Sequence, residues 1–141
     1  MSHGSNASSQ LLGGGGGGGC GVNNDFNTGW VWYTAPDGTA QLGICSYQVG
    51  TSLTMVTDWG LISYDGPIST VKMAVSWSDG YIDPTPEQQW PAPQTTAQDS
   101  FSHTFSQYGN KYTALTGYYL LTSGDEYGYF NEDGPSLLLS N

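Results

Sequence analysis

Few side chains in this chain could do chemistry, and most of those are acids: twelve carboxylates, two histidines, two cysteines and two lysines, with no arginine. Adjacent carboxylates occur at Asp125-Glu126 and Glu132-Asp133. Hydrolysis of a glycosidic bond would need two acids facing each other across a cleft, whereas these flank Gly124 and Gly134 and read as loop residues. Hard oxygens suited to calcium cluster in Asp79-Gly80-Tyr81-Ile82-Asp83 and in Asn131-Glu132-Asp133-Gly134. Neither run has EF-hand spacing, so solvated turn carboxylates are the plainer reading, and calcium is the one cofactor these residues raise. His103 lies between Phe101 and Phe105, the place of a packed or turn-bonded imidazole rather than of a base; His3 has no sequence neighbour to ligate with. Acyl and phosphoryl transfer need a nucleophile with its base, and no such pair is visible. The chain is expected not to be an enzyme.

Cys20 and Cys45 admit two readings. A disulfide between them would close a loop of 25 residues and stabilise the fold by ~3 kcal/mol in the chain-entropy model. Otherwise they are two free thiols, one on a strand and one in a glycine-rich arm. Two cysteines and two distant histidines have no zinc-site spacing.

Aromatic residues supply the candidates for binding. Trp30, Trp32 and Tyr33 lie close together, and Trp90 sits in the proline-stiffened run from Asp83 to Pro93, which has no strand pattern and reads as a loop. Tryptophan and tyrosine anchor interfaces and stack on sugar rings. Trp90 could equally fold back to cap the core. The remaining candidates have no side chains at all: Gly13, Gly14, Gly15, Gly16, Gly17, Gly18 and Gly19 run consecutively. Held in one place, they must be held through their backbone groups by another chain.

Charge narrows the partners. Lys72 and Lys111 are the only basic side chains in a molecule of formal charge −10. Phosphate backbones and anionic membrane surfaces are recognised by Lys and Arg, so nucleic acid and lipid headgroups are poor partners. No run approaches the roughly twenty apolar residues that span a bilayer, and no basic segment followed by an apolar one suggests a signal peptide. Only 10% of residues are charged, against a usual quarter. Such a polar but weakly charged surface suits extracellular or particle-surface β-proteins.

The elements that must position these residues are strands. Residues 1–25 form a Gly/Ser/Asn-rich N-terminal arm that cannot bury enough apolar surface to offset its backbone entropy. Residues 26–141 form one domain. Trp30-Val31-Trp32-Tyr33-Thr34 meets the turn Pro36-Asp37-Gly38, and strand character resumes from Gln41 to Val49. Leu53, Met55, Thr57 and Trp59 alternate on one face, as do Val71, Met73, Val75 and Trp77, and Phe101, His103 and Phe105. Gln107-Tyr108-Gly109-Asn110 reads as a short turn. Tyr112 to Leu121 is apolar on both faces, as in a central strand or one covered by a partner. No segment has helical apolar spacing, so the domain is all-β, and its turn spacing indicates a sandwich.

A strand ending in Trp77-Ser78-Asp79-Gly80 is followed by Ser102-His103-Thr104-Phe105, then by Tyr108-Gly109 ahead of Tyr112-Thr113. Over residues 71–130 this resembles the polycystic-kidney-disease (PKD) domain, an immunoglobulin-like antiparallel β-sandwich. The resemblance implies a core position for Trp77, a tight turn at Asp79-Gly80, and a role as a spacer or binding module. Together with the arm it leads to an expected function: a structural or accessory subunit of a large particle, such as a bacteriophage head-decoration or minor tail protein on the virion surface. Its partners would be other subunits, copies of itself included. An extracellular carbohydrate-binding or adhesion module, touching host surface glycan, is the alternative.

Overall fold

The computed structural model describes residues 20–21, 25–85, 87–89, 94–124 and 126–141. Eleven strands and no helix occur among them: β1 (Val31–Thr34), β2 (Ala40–Gln48), β3 (Thr54–Ser63), β4 (Ile68–Trp77), β5 (Ile82–Pro84), β6 (Gln88–Gln89), β7 (Thr96–Thr104), β8 (Gly109–Lys111), β9 (Thr113–Leu121), β10 (Gly128–Asp133) and β11 (Leu137–Leu139). One antiparallel sheet has the order β1-β2-β3-β7; the other runs β10-β9-β4-β5, with β6 also on β4. The short pair β8–β11 stands apart.

Period two builds the core. Met55, Trp59 and Leu61 of β3 and Leu42 and Ile44 of β2 point inward from the first sheet. Val71, Met73, Val75 and Trp77 of β4, with Leu115 of β9 and Phe130 of β10, meet them from the second. Burying this many aliphatic and aromatic side chains is what offsets the ordering of the chain. The β4–β5 hairpin turns through Ser78-Asp79-Gly80, where Gly80 N–H donates to Trp77 C=O and Gly80 takes a φ of 93°. That left-handed position closing the turn is one glycine accepts without strain.

Three segments differ from expectation. The run from Asp83 onward, which has no period-two pattern, is partly strand. β5 and β6 lie along the free edge of β4, and Thr85 Oγ1 donates to Met73 C=O in the gap between them. Proline lacks an N–H, so Pro84 suits an edge, and the threonine hydroxyl supplies a donor there. Gly109-Asn110, expected in a turn, belongs to β8, because the C-terminal Leu137–Leu139 pairs with it and buries Leu137 and Leu139. Glu132-Asp133, expected in a loop, ends β10, whose ladder to β9 runs from Gly128↔Tyr119 to Asp133↔Ala114. Phe130 in the core fixes that register, and the acids follow it.

β2 is buried on both faces, which one sheet-on-sheet contact does not explain. Its outward residue Gly43 lies beneath Trp32 of β1, and a Cβ at that position would sit 2.7 Å from the indole. Trp32 therefore lies flat across the sheet and packs with Ile62 and Trp30. Gly43→Ala should cost about 1–3 kcal/mol, as overpacking does, read as a lower urea midpoint. An unchanged midpoint would mean that the indole is free to lift away.

Candidate binding surfaces

The chain ahead of β1 shapes the outer face of the first sheet. Residues 26–28 continue the β1 ladder along β2, with Thr28 N–H donating to Ser46 C=O and Gln48 N–H to Phe26 C=O. Asn27 pairs with Tyr47 and Val31 with Ile44, so one extra residue bulges between them. Further back, Cys20 is disulfide-bonded to Cys45 in the middle of β2, with Cα atoms 6.1 Å apart. Gly21 lies against the Tyr47 ring.

The same face holds a desolvated carboxylate. Asp58 of β3 is the cross-strand neighbour of Cys45 and shares the outer face with it. Burial pushes its pKa up to about 6. Tyr47 is raised too, first by burial and then by the charges of Asp58 and Asp25.

The three aromatic residues near the arm do not form one patch. Trp30 and Trp32 stack with ring centroids 5.7 Å apart on the outer face, but Trp32 is only 4% exposed. Tyr33 points to the opposite face, packs against the main core and donates its hydroxyl to Asp133 C=O. Gly13 to Gly19, His3, Trp90 and Asp125 lie outside the described residues.

His103 joins the two sheets. Its Nε2 donates to Asp79 Oδ2 at 2.7 Å, from β7 of one sheet to the β4–β5 turn of the other. The ring stacks on Tyr81 and Trp77 at centroid distances of 5.0 and 5.1 Å and meets Phe105 edge-on. The bond from His103 holds the Asp79 carboxyl below its ordinary range. Asp83 accepts the Trp77 indole N–H at 2.9 Å. Both acids of this turn are thus tied to aromatic side chains.

The second acidic run does not converge either. On β10, Asn131 and Asp133 point to one face and Glu132 to the other. Among the described residues, no three His, Cys, Asp or Glu side chains are grouped to hold a metal ion. At one end of the sandwich, a cavity of about 220 Å³ is lined by Asp37, Asp65, Glu126, Thr39, Ser123 and Tyr119, among others. Three of its polar groups bond to one another: Thr39 donates to Asp37 through both N–H and Oγ1, and Tyr119 OH pairs with Thr39 Oγ1 at 2.9 Å. Those donors hold the Asp37 carboxyl low.

A further aromatic group, among the described residues, includes a side chain of the run that is apolar on both faces. Tyr118 of β9, Tyr129 of β10 and Tyr127 beside it cluster on the outer face of the second sheet. Tyr118 donates its hydroxyl to Glu87 Oε2 at 2.7 Å, which pushes its pKa up to about 12. Tyr127 and Tyr129 remain exposed. The β9–β10 register brings them together; the sequence signals were the doubly apolar run that holds Tyr118 and the alternation Tyr127-Gly128-Tyr129. Comparison with known protein families, curated proteins and solved structures finds no match.

Proposed function

We propose that the chain is a non-enzymatic structural or accessory subunit of a large particle, in the manner of a bacteriophage virion protein of the head surface or tail, held in place by its N-terminal arm. The observation that carries this reading is the fastening at the arm's root. A pull on residues 1–19 passes through the Cys20–Cys45 bridge into β2, a strand paired on both sides, instead of peeling the edge strand β1. A linker with nothing to hold has no need of such an attachment. A disulfide also suits a surface outside the reducing cytosol.

The sandwich itself is read as immunoglobulin-like, of PKD type. β2-β3-β7 facing β10-β9-β4-β5 has the order of strands A-B-E against G-F-C-C′ in that fold, with a buried Trp77 on the strand equivalent to C. Such domains serve as spacers and binding modules, and fold alone does not choose among those uses.

The arm is the test. Deleting Met1 to Gly19, with Cys20 retained, should leave the melting temperature of the sandwich nearly unchanged and abolish or weaken incorporation into the native particle. Incorporation at the wild-type level would reduce the arm to a linker and remove the reading's support.

A further inference from the structure

The relief of the second sheet's outer face follows from its register. Lys72, Tyr118 and Tyr129 are cross-strand partners and make a tall row. Two residues further along come Ala74, Thr116 and Asn131, and two beyond those come Ser76, Ala114 and Asp133. The last is low in its middle, at Ser76 and Ala114, between Asp133 at one edge and the exposed Ile82 of β5 at the other. Tyr129, at 66% exposure, stands at the edge of the tall row. Tyr118 is fixed by its bond to Glu87 and by edge contacts to Tyr127 and Tyr129 at 5.1 and 6.2 Å. An anchor already fixed in place loses little entropy on docking.

We propose that this face is a homotypic interface. Two copies pack sheet to sheet about a two-fold axis running across the strands, the tyrosine row of each seated on the low Ser76–Ala114–Asp133 row of the other. An isologous contact requires one face to carry both a relief and its complement, and here the tall and low rows lie on either side of the Thr116 row. Aligned sheets pack in this way inside sandwiches.

Charge points to the same occupant. With a formal charge of −10, two copies repel over most of their surfaces. Asp37, Asp65 and Glu126 gather at the end cavity, Asp79 and Asp83 near the β4–β5 turn, and Asp25 and Asp58 at the first sheet. The tyrosine face holds Lys72, one of the two cations in the chain, against Glu87 and Asp133, so it carries little of the chain's negative charge. In the paired arrangement the Tyr129 hydroxyl of one copy faces the Asp133 carboxylate of the other. A sugar is the less suitable occupant, because Tyr118 and Tyr127 meet at 87° and offer no flat stacking platform.

Sedimentation equilibrium on the full chain, with its disulfide intact, tests the interface separately from the arm. Neither outcome depends on particle incorporation. A reversible dimer should form with a dissociation constant on the order of 10–100 μM, and should tighten with salt as the mutual repulsion is screened. Thr116→Glu, at an exposed position on the axis, should weaken it more than about tenfold without changing the circular dichroism spectrum, and Tyr129→Ala should weaken it as well. A monomer at every concentration up to about 0.5 mM overturns the proposal. So does a dimer indifferent to Thr116→Glu. Saturable oligosaccharide binding that needs Tyr129, in a chain that stays monomeric, would reassign the face to sugars.

Discussion

Cys20→Ser should lower the stability of the folded chain by ~3 kcal/mol and its melting temperature by roughly 10 °C. The loss arises mainly in the unfolded chain, which regains the freedom that a closed loop of 25 residues denies it. Cys20 is the residue to change because Cys45 is fully buried. A lone thiol there still packs as a small hydrophobe, whereas Ser at position 45 would add a buried hydroxyl. Residues 26–28 keep their backbone bonds to β2 in the variant, so the strand ladder persists while the stretch before Asp25 is released. Urea unfolding of the wild type under reducing conditions should converge on the curve of the variant. A variant melting within a degree or two of the wild type would show that non-covalent contacts alone hold the arm's root, and would weaken the anchoring argument with it.

The legible parts of this chain were those where one face of a strand is apolar and the other is not. Val71 to Trp77 alternates because β4 has a core on one side only, and Phe101, His103 and Phe105 alternate for the same reason. His103 could be read as packed from its two phenylalanine neighbours. Its bond to Asp79 crosses between sheets, and no local pattern carries that information. β5 and β6 escaped because prolines interrupt the alternation and their stability comes from lying against β4. β2 shows a further limit. Its outer face is buried by residues that precede it in the chain, so Gly43 and Cys45 become meaningful only once Trp32 and Cys20 are placed over them. The tyrosine face was hidden differently. Tyr118 and Tyr129 look like ordinary strand residues until a register sets them side by side with Lys72.

Asp58→Asn should make the protein more stable at neutral pH and flatten its acid profile. Folding raises the Asp58 carboxyl from 3.8 to about 6, because burial on the outer face of the first sheet removes water from it. A raised carboxyl means that the folded chain binds more protons than the unfolded one across that interval, so stability falls as the pH rises. The contribution is full below the unfolded value, declines through the window, and is lost above about 6. Asp37 and Asp79 act in the opposite sense, since hydrogen bonds lower both; what they contribute is present above their unfolded values and lost as the pH falls. The wild type should therefore be most stable in the mildly acidic range. A shift of this size corresponds to about 3 kcal/mol when water is fully excluded. The Asp58 site retains some solvent, so about 1–2 kcal/mol is the expected gain for Asn at pH 7, with no gain near pH 4. The two substitutions should also interact. Once Cys20→Ser releases the segment over the sheet, Asp58 regains water, its pKa falls back toward the ordinary carboxylate range, and Asp58→Asn should then gain much less. Urea midpoints for the four combinations between pH 4 and 8 measure that coupling. Additive effects across the cycle would mean that Asp58 is desolvated by the sheet itself rather than by the bridged segment.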